Sequence, residues 1–166
     1  MEAPSGRPGR EQIRSRRRAR RLALASIFEA DFGQRTADAV LGRHLAEAGN
    51  DPEAARFARR LIEVTVEHRD QIDRRIEQLA PQYPVVQLAR IDRALLRTAL
   101  GEVLHSAATP ARVAIAEWVE LARIYSGDPA RRLMNGVLGR LSRDAAASTG
   151  ELVDGSADED AGVPAG

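Results

Sequence analysis

The sequence predicts an all-α fold of six or seven helices, and three observations carry that prediction. Apolar residues recur at steps of three and four between positions 12 and 144, the period of helices that each bury one face. Pairs of a capping residue and a proline, the usual opening of a helix, stand at Asp51-Pro52, Thr109-Pro110 and Asp128-Pro129. Alternating Val/Ile/Thr runs and strand-flanked Asn-Gly turns, the marks of a sheet, are missing.

Taken in order, the first helix is expected from about Gln12 to Phe32, with Leu24, Ile27, Phe28 and Phe32 on one face and Gly33 ending it. Thr36 caps a second, which stops at Gly49-Asn50. From Asp51-Pro52 onward, Phe57, Leu61, Val64, His68, Ile72, Ile76 and Leu79 keep step without a break. That run predicts one long helix, with a kink near His68-Arg69, stopping before Pro81. Tyr83-Pro84 opens a connector of about one turn, and Leu88, Ile91, Leu95, Ala99 and Val103 give the next buried face up to His105. After Thr109-Pro110 the stripe Val113, Ala114, Trp118, Leu121, Ala122 and Tyr125 runs to Ser126-Gly127. Asp128-Pro129 starts a last helix carried by Leu133, Met134, Val137, Leu138 and Leu141. Residues 1–11 and 145–166 read as disordered tails around a single helical domain at 12–144.

Composition excludes several chemistries. All 25 basic residues other than histidine are arginine, so neither a Walker A loop nor a Schiff-base enzyme is available. Cysteine is absent, which removes disulfides, thiolate zinc sites and thiol nucleophiles. No apolar run approaches the ~20 residues of a membrane span, so the protein is expected to be soluble and cytoplasmic. The net charge of +1 hides two charged ends: residues 7–21 hold eight Arg against Glu11 alone, and residues 144–166 hold six acids and no base.

The basic end is the strongest functional signal. Arg14, Arg16, Arg17, Arg18, Arg20 and Arg21 crowd a helix N-terminus, where the macrodipole already disfavours cations. A polyanion partner, RNA or DNA, would neutralise them and release its counterions; a basic tail serving solubility is the ordinary alternative. At 100° per residue, Arg14, Arg17, Arg18 and Arg21 form one stripe while Arg16 and Arg20 point the other way. Charge all round predicts a basic spike projecting from the bundle. Arg90, Arg93 and Arg97 form a second basic patch, or an ordinary wet face.

Other candidates read as structure. His44, His68 and His105 share no metal-ligand spacing, and His68 is expected to pack in the core. Asp70, Asp73 and Glu77, like Glu117 and Glu120, fall on common faces, where Arg69, Arg74 and Arg123 make solvated ion pairs the simplest reading. Trp118 and Tyr125 are expected to be core rather than a stacking platform. No nucleophile, cofactor site or metal site is expected, and nothing demands an enzyme.

Arg16-Arg17-Arg18-Ala19-Arg20 leading into Leu24-Ala25-Ser26-Ile27-Phe28 resembles the start of the NusB family. Ile91-Asp92-Arg93-Ala94-Leu95-Leu96-Arg97, then Pro110-Ala111-Arg112-Val113-Ala114-Ile115-Ala116-Glu117 with Val119-Glu120-Leu121-Ala122-Arg123, then Asn135-Gly136-Val137-Leu138, resemble its signature in order and approximate spacing. The resemblance implies two packed helical subbundles and a non-enzymatic role in transcription antitermination. It implies binding of boxA RNA together with ribosomal protein NusE, within an elongation complex on RNA polymerase that supports ribosomal RNA synthesis. It places Arg16, Arg17, Arg18 and Arg20 in an arginine-rich RNA-binding motif that Arg14 extends, with Arg93 and Arg97 beside the RNA path. It places Phe28, Phe32 and Asp92 at the NusE contact. The chain departs from the family pattern at Ala116, Trp118, Asp128-Pro129 and Leu133, the last standing where a stacking phenylalanine is frequent.

Two further readings stay open at this stage. A similar helical domain precedes the catalytic domain of ribosomal RNA cytosine methyltransferases, and such an enzyme would need a Rossmann-type domain with a catalytic cysteine that this sequence lacks. The chain also reads as a helical adaptor or a homodimer, since the apolar face meant for NusE equally permits self-pairing. The acidic tail, around residues 151–160, is expected to fold back on the arginines and compete with weak RNA.

Overall fold

A computed structural model describes residues 8–154, which form seven α-helices and one 3-10 turn, with no strand among the described residues. Residues 1–7 and 155–166, most of the two expected tails, lie outside the described residues.

Helix α1 (Arg10–Ala30) starts behind Gly9 with no side-chain cap, and Glu11 places an acid in its first turn. It does not project. Ser15, Ala19 and Ala23, spaced by four, are buried and form a small-residue strip that lets α1 lie directly on α3, so the expected basic spike is flattened onto the bundle. The stems of Arg16, Arg17 and Arg18 lie along the surface and their heads find partners there, which is how a face crowded with charge can still be packed. Gly33, at φ +80°, turns the chain after α1.

Helix α2 (Ala37–Glu47) is capped by Thr36, whose hydroxyl accepts from the Ala39 N–H at 3.2 Å. Asp51 caps α3 (Pro52–Glu67) in the same way, accepting from the Ala54 N–H at 3.0 Å. The long helix expected from 52 to 80 is two helices: the chain bends at His68 (φ −102°, ψ 17°) and restarts as α4 (Arg69–Leu79). The bend takes Ile72, Ile76 and Leu79 away from α1 and α2 and buries them against α5 and α7. His68 itself is only partly buried and stacks on His105, with ring centroids 3.7 Å apart and planes 9° off parallel.

After a single 3-10 turn (Val85–Gln87), α5 (Arg90–His105) forms the centre of the molecule, with every residue from 94 to 102 buried. Helix α6 (Ala111–Ser126) is preceded by Pro110, and Thr109 makes no cap. Its hydroxyl is turned toward Arg16 and Arg20 instead, 3.4 Å from each. The α6 core face is Ala114, Trp118, Leu121 and Ala122; Val113 and Tyr125, expected in the stripe, are 48% and 45% exposed. Gly127, at φ +99°, adopts a conformation a side chain would strain, and starts α7 (Asp128–Asp154). That helix runs past the expected boundary at 144. Ala145, Ala146 and Ala147 are of the strongest helix-forming type, and Asp144, directly before them, is tied to Arg75 on α4 at 2.9 Å.

The helices divide into α1–α3 and α4–α7, which share one apolar cluster. At their seam α3 and α5 touch at backbone range: a Cβ on Gly101 would stand 2.5 Å from the Thr65 hydroxyl. No helix among the described residues is long and apolar enough to cross a membrane.

Candidate nucleic-acid interface

The expected RNA-binding arginines fall into two groups once their partners are known. Arg20 is 2% exposed, and its guanidinium forks onto Glu102 of α5 at 2.9 and 2.7 Å. The Trp118 indole N–H donates to the same carboxylate at 2.6 Å, so Glu102 joins α1, α5 and α6 at one buried point. Arg97 is 7% exposed and forks onto Asp73 of α4 at 2.8 and 2.9 Å, with Asp31 3.7 Å away. Arg93 pairs with the same Asp31 and leaves its Nε buried without a partner among the described residues. The second basic patch is therefore largely a neutralised cluster that ties the end of α1 to α4 and α5.

The remaining α1 arginines lie at the surface. Arg16 donates to the Ala108 carbonyl at 2.9 Å and lies, like Arg20, over the Phe57 ring, at 5.3 and 5.4 Å from its centroid. Arg18 donates to the Ala48 carbonyl and approaches Asp51 to 3.8 Å. The Asp51 carboxyl is held below its usual range, first by the Ala54 N–H and also by the Ser15 hydroxyl and Arg18. Arg17 forks onto Glu117 of α6 at 3.0–3.1 Å, and that hydrogen-bonded carboxylate holds the arginine proton more firmly than usual. Arg10, Arg14 and Arg21 are exposed and have no hydrogen bond or ion pair among the described residues.

At the other end of α1 two of the expected partner-binding residues, Phe28 and Phe32, meet. Phe28 and Phe32 touch edge to face at 5.4 Å, and Phe32, 53% exposed, carries the Arg90 guanidinium 4.2 Å above its ring. Asp92, in the first turn of α5, accepts from the Ser126 hydroxyl at 2.6 Å at the end of α6. This end offers a half-exposed aromatic pair under a cation. No three His, Asp or Glu residues gather into a metal-binding group among the described residues.

The carboxylates that matter most were only partly legible. Asp73 and Glu117 stand out in sequence, yet their partners are Arg97 and Arg17 rather than neighbours along the helix; Glu120 does pair locally, with Arg123 at 2.5 Å. Glu102 lies on the apolar stretch of α5 with no local signal of a partner. A lone acid inside a run of buried positions was the one available clue.

Comparison with known proteins bears on the family and the fold. Residues 17–143 match the NusB family. The chain is 42% identical over 129 residues to the transcription antitermination protein NusB of Dehalococcoides mccartyi (strain ATCC BAA-2266 / KCTC 15142 / 195), covering 78% of this chain and 90% of that one. It is 44% identical over 126 residues to the protein of the same name from Roseiflexus sp. (strain RS-1), covering 75% and 89%. Among solved structures, T. maritima NusB superposes with a TM-score of 0.71 at 29% identity, over 77% of this chain and 90% of that one. A structure of antitermination factors NusB and NusE in complex with dsRNA shares the fold, with a TM-score of 0.71 at 21% identity over 80% of this chain and 98% of that one. On the family match and these identities, the chain belongs to the NusB family.

Proposed function

We propose that this chain is a transcription antitermination factor that binds boxA RNA together with ribosomal protein NusE and supports ribosomal RNA transcription. The observation that carries the reading is a NusB-family bundle whose first helix keeps three arginines, Arg10, Arg14 and Arg21, exposed and unpaired among the described residues. The antitermination names of its relatives support it, as does a structure of the same fold with NusE and dsRNA. Arg14, Arg16, Arg17 and Arg18 hold RNA phosphates, while Arg20, Arg93 and Arg97 set the frame that positions them. Phe28, Phe32 and Asp92 form the NusE contact, and the assembly acts without catalysis, in the cytoplasm, on an RNA polymerase elongation complex.

Phosphate contacts position such a complex and contacts to unstacked bases specify it. The test is titration of boxA RNA and a scrambled RNA into the protein, with and without NusE. Selective binding of boxA that tightens with NusE is expected. Replacing Arg14, Arg16, Arg17 and Arg18 with alanine weakens it and lowers the salt slope by roughly 0.7 per lost contact on single strands. Equal affinity for both RNAs in the presence of NusE, or a stable homodimer by light scattering that ignores NusE and RNA, overturns the reading.

A further inference from the structure

Arg10, Arg14, Arg17 and Arg21 stand at i, i+4, i+7 and i+11 on one face of α1, a ladder about 16 Å long at the rise of an α-helix. Arg17 and Arg21 line a shallow groove whose far wall is α6, with Glu117 and Ile124 facing them, and Arg10 and Arg14 continue the row along α1 beside Ile13. Ile13 beside the ladder and Ile124 across it are 38% and 59% exposed, so the groove has apolar ground next to a line of cations.

One rung differs from the others. The Arg17 side chain is 57% exposed, yet its fork is filled by both oxygens of Glu117. A carboxylate in a guanidinium fork occupies the same two N–H directions that a phosphodiester would take. We propose that this α1–α6 groove is the track for the RNA backbone, and that Glu117 is an internal phosphate surrogate which RNA must displace from Arg17.

The proposal rests on the RNA-binding reading above and adds a selection step to it. A ligand that meets one or two rungs gains too little to release Arg17 and also faces the Glu117 charge. A continuous strand that engages Arg10, Arg14 and Arg21 together brings a phosphate to the fork at high local concentration. Once exchanged, Glu117 is left to solvent at the groove wall, where it is 20% exposed already. Weak polyanions are thus disfavoured at a single position, without any base being read.

The test uses fluorescence anisotropy of the full chain with a boxA-containing single-stranded RNA and an oligouridine of equal length. Glu117→Gln is expected to tighten both RNAs about two- to five-fold, the range of a surface ion pair that no longer has to be broken. In an Arg17→Ala background the same substitution gains nothing. The triple variant Arg10→Ala, Arg14→Ala and Arg21→Ala weakens both RNAs alike and lowers the salt slope by about 2. A Glu117→Gln gain that persists without Arg17 overturns this inference alone while boxA binding survives; a triple variant with an unchanged slope overturns both the track and the phosphate role given to Arg14 above. A wild-type chain that binds neither RNA overturns the antitermination reading with it. All these side chains are on the surface, and helical circular dichroism verifies that each variant is folded.

Discussion

The Arg20 guanidinium and the Glu102 carboxylate, 82 positions apart in sequence, meet in a two-hydrogen-bond fork whose side chains are 3% and 0% exposed. Removing one partner leaves the other charge buried and unsatisfied. Glu102→Met is expected to lower the unfolding free energy by about 3–5 kcal/mol, the cost of breaking a buried pair. The double replacement with Arg20→Met loses less than Glu102→Met alone, because only the Trp118 N–H is then left without an acceptor. Urea unfolding of the two variants checks this; equal losses would show that the two charges do not compensate one another.

Gly101 is where α3 and α5 come closest. Gly101→Ala gains about 1 kcal/mol of helix propensity but drives a methyl to 2.5 Å from the Thr65 hydroxyl, an overlap that costs about 1–3 kcal/mol in a packed site. A net loss of about 1 kcal/mol in thermal or urea unfolding is expected. In a Thr65→Ala background the remaining neighbours stand at 3.4 Å, and the same change becomes neutral or stabilising.

Arg97→Ala separates frame from RNA contact. Its guanidinium holds Asp73 and Asp31 together, and its loss is expected to destabilise the fold by about 3 kcal/mol, the low end for breaking a buried pair. RNA affinity measured well below the melting temperature changes little. A large loss of affinity with unchanged melting would place Arg97 on the RNA instead.

His105 carries the pH dependence. Burial, then the neighbouring His68, hold its imidazole below the usual histidine pKa, with Glu67 acting weakly the other way. Because the folded value lies below the unfolded one, its contribution to stability is full above about pH 6.5 and is lost as pH falls toward the folded value. Urea midpoints are therefore expected to decline from about pH 6.5 downward. His105→Phe, which keeps a ring against His68, flattens that stretch and leaves the lower acid limb set by carboxylates such as Asp51.

Helix starts at Thr36 and Asp51 were legible because a cap is a local event: a side-chain oxygen and an N–H three residues on. At His68 a kink was expected but not a full break, since the apolar period runs through it unchanged and only the partner helices change. Thr109 shows the converse, a cap-plus-proline signal whose hydroxyl serves two arginines of α1 instead. For the site, sequence marked the arginine cluster but not its division. Arg14 and Arg18 look alike along the chain, and what separates them is the carbonyl of Ala48, which α2 and its following turn bring beneath Arg18. The spike was predicted from charge alone, and Ser15, Ala19 and Ala23 overruled it by letting two helix backbones approach.

The Arg20–Glu102 fork also orders the birth of the molecule. As the chain leaves the ribosome, α1, α2 and α3 are complete while Glu102 is still unmade, and at about 5–20 residues per second the 82-residue interval lasts roughly 4–16 s. Throughout that time the face of α1 destined for the interior carries a solvated arginine cation. The unfinished half therefore keeps a wettable seam until α5, whose Glu102 neutralises it, arrives to close the fold.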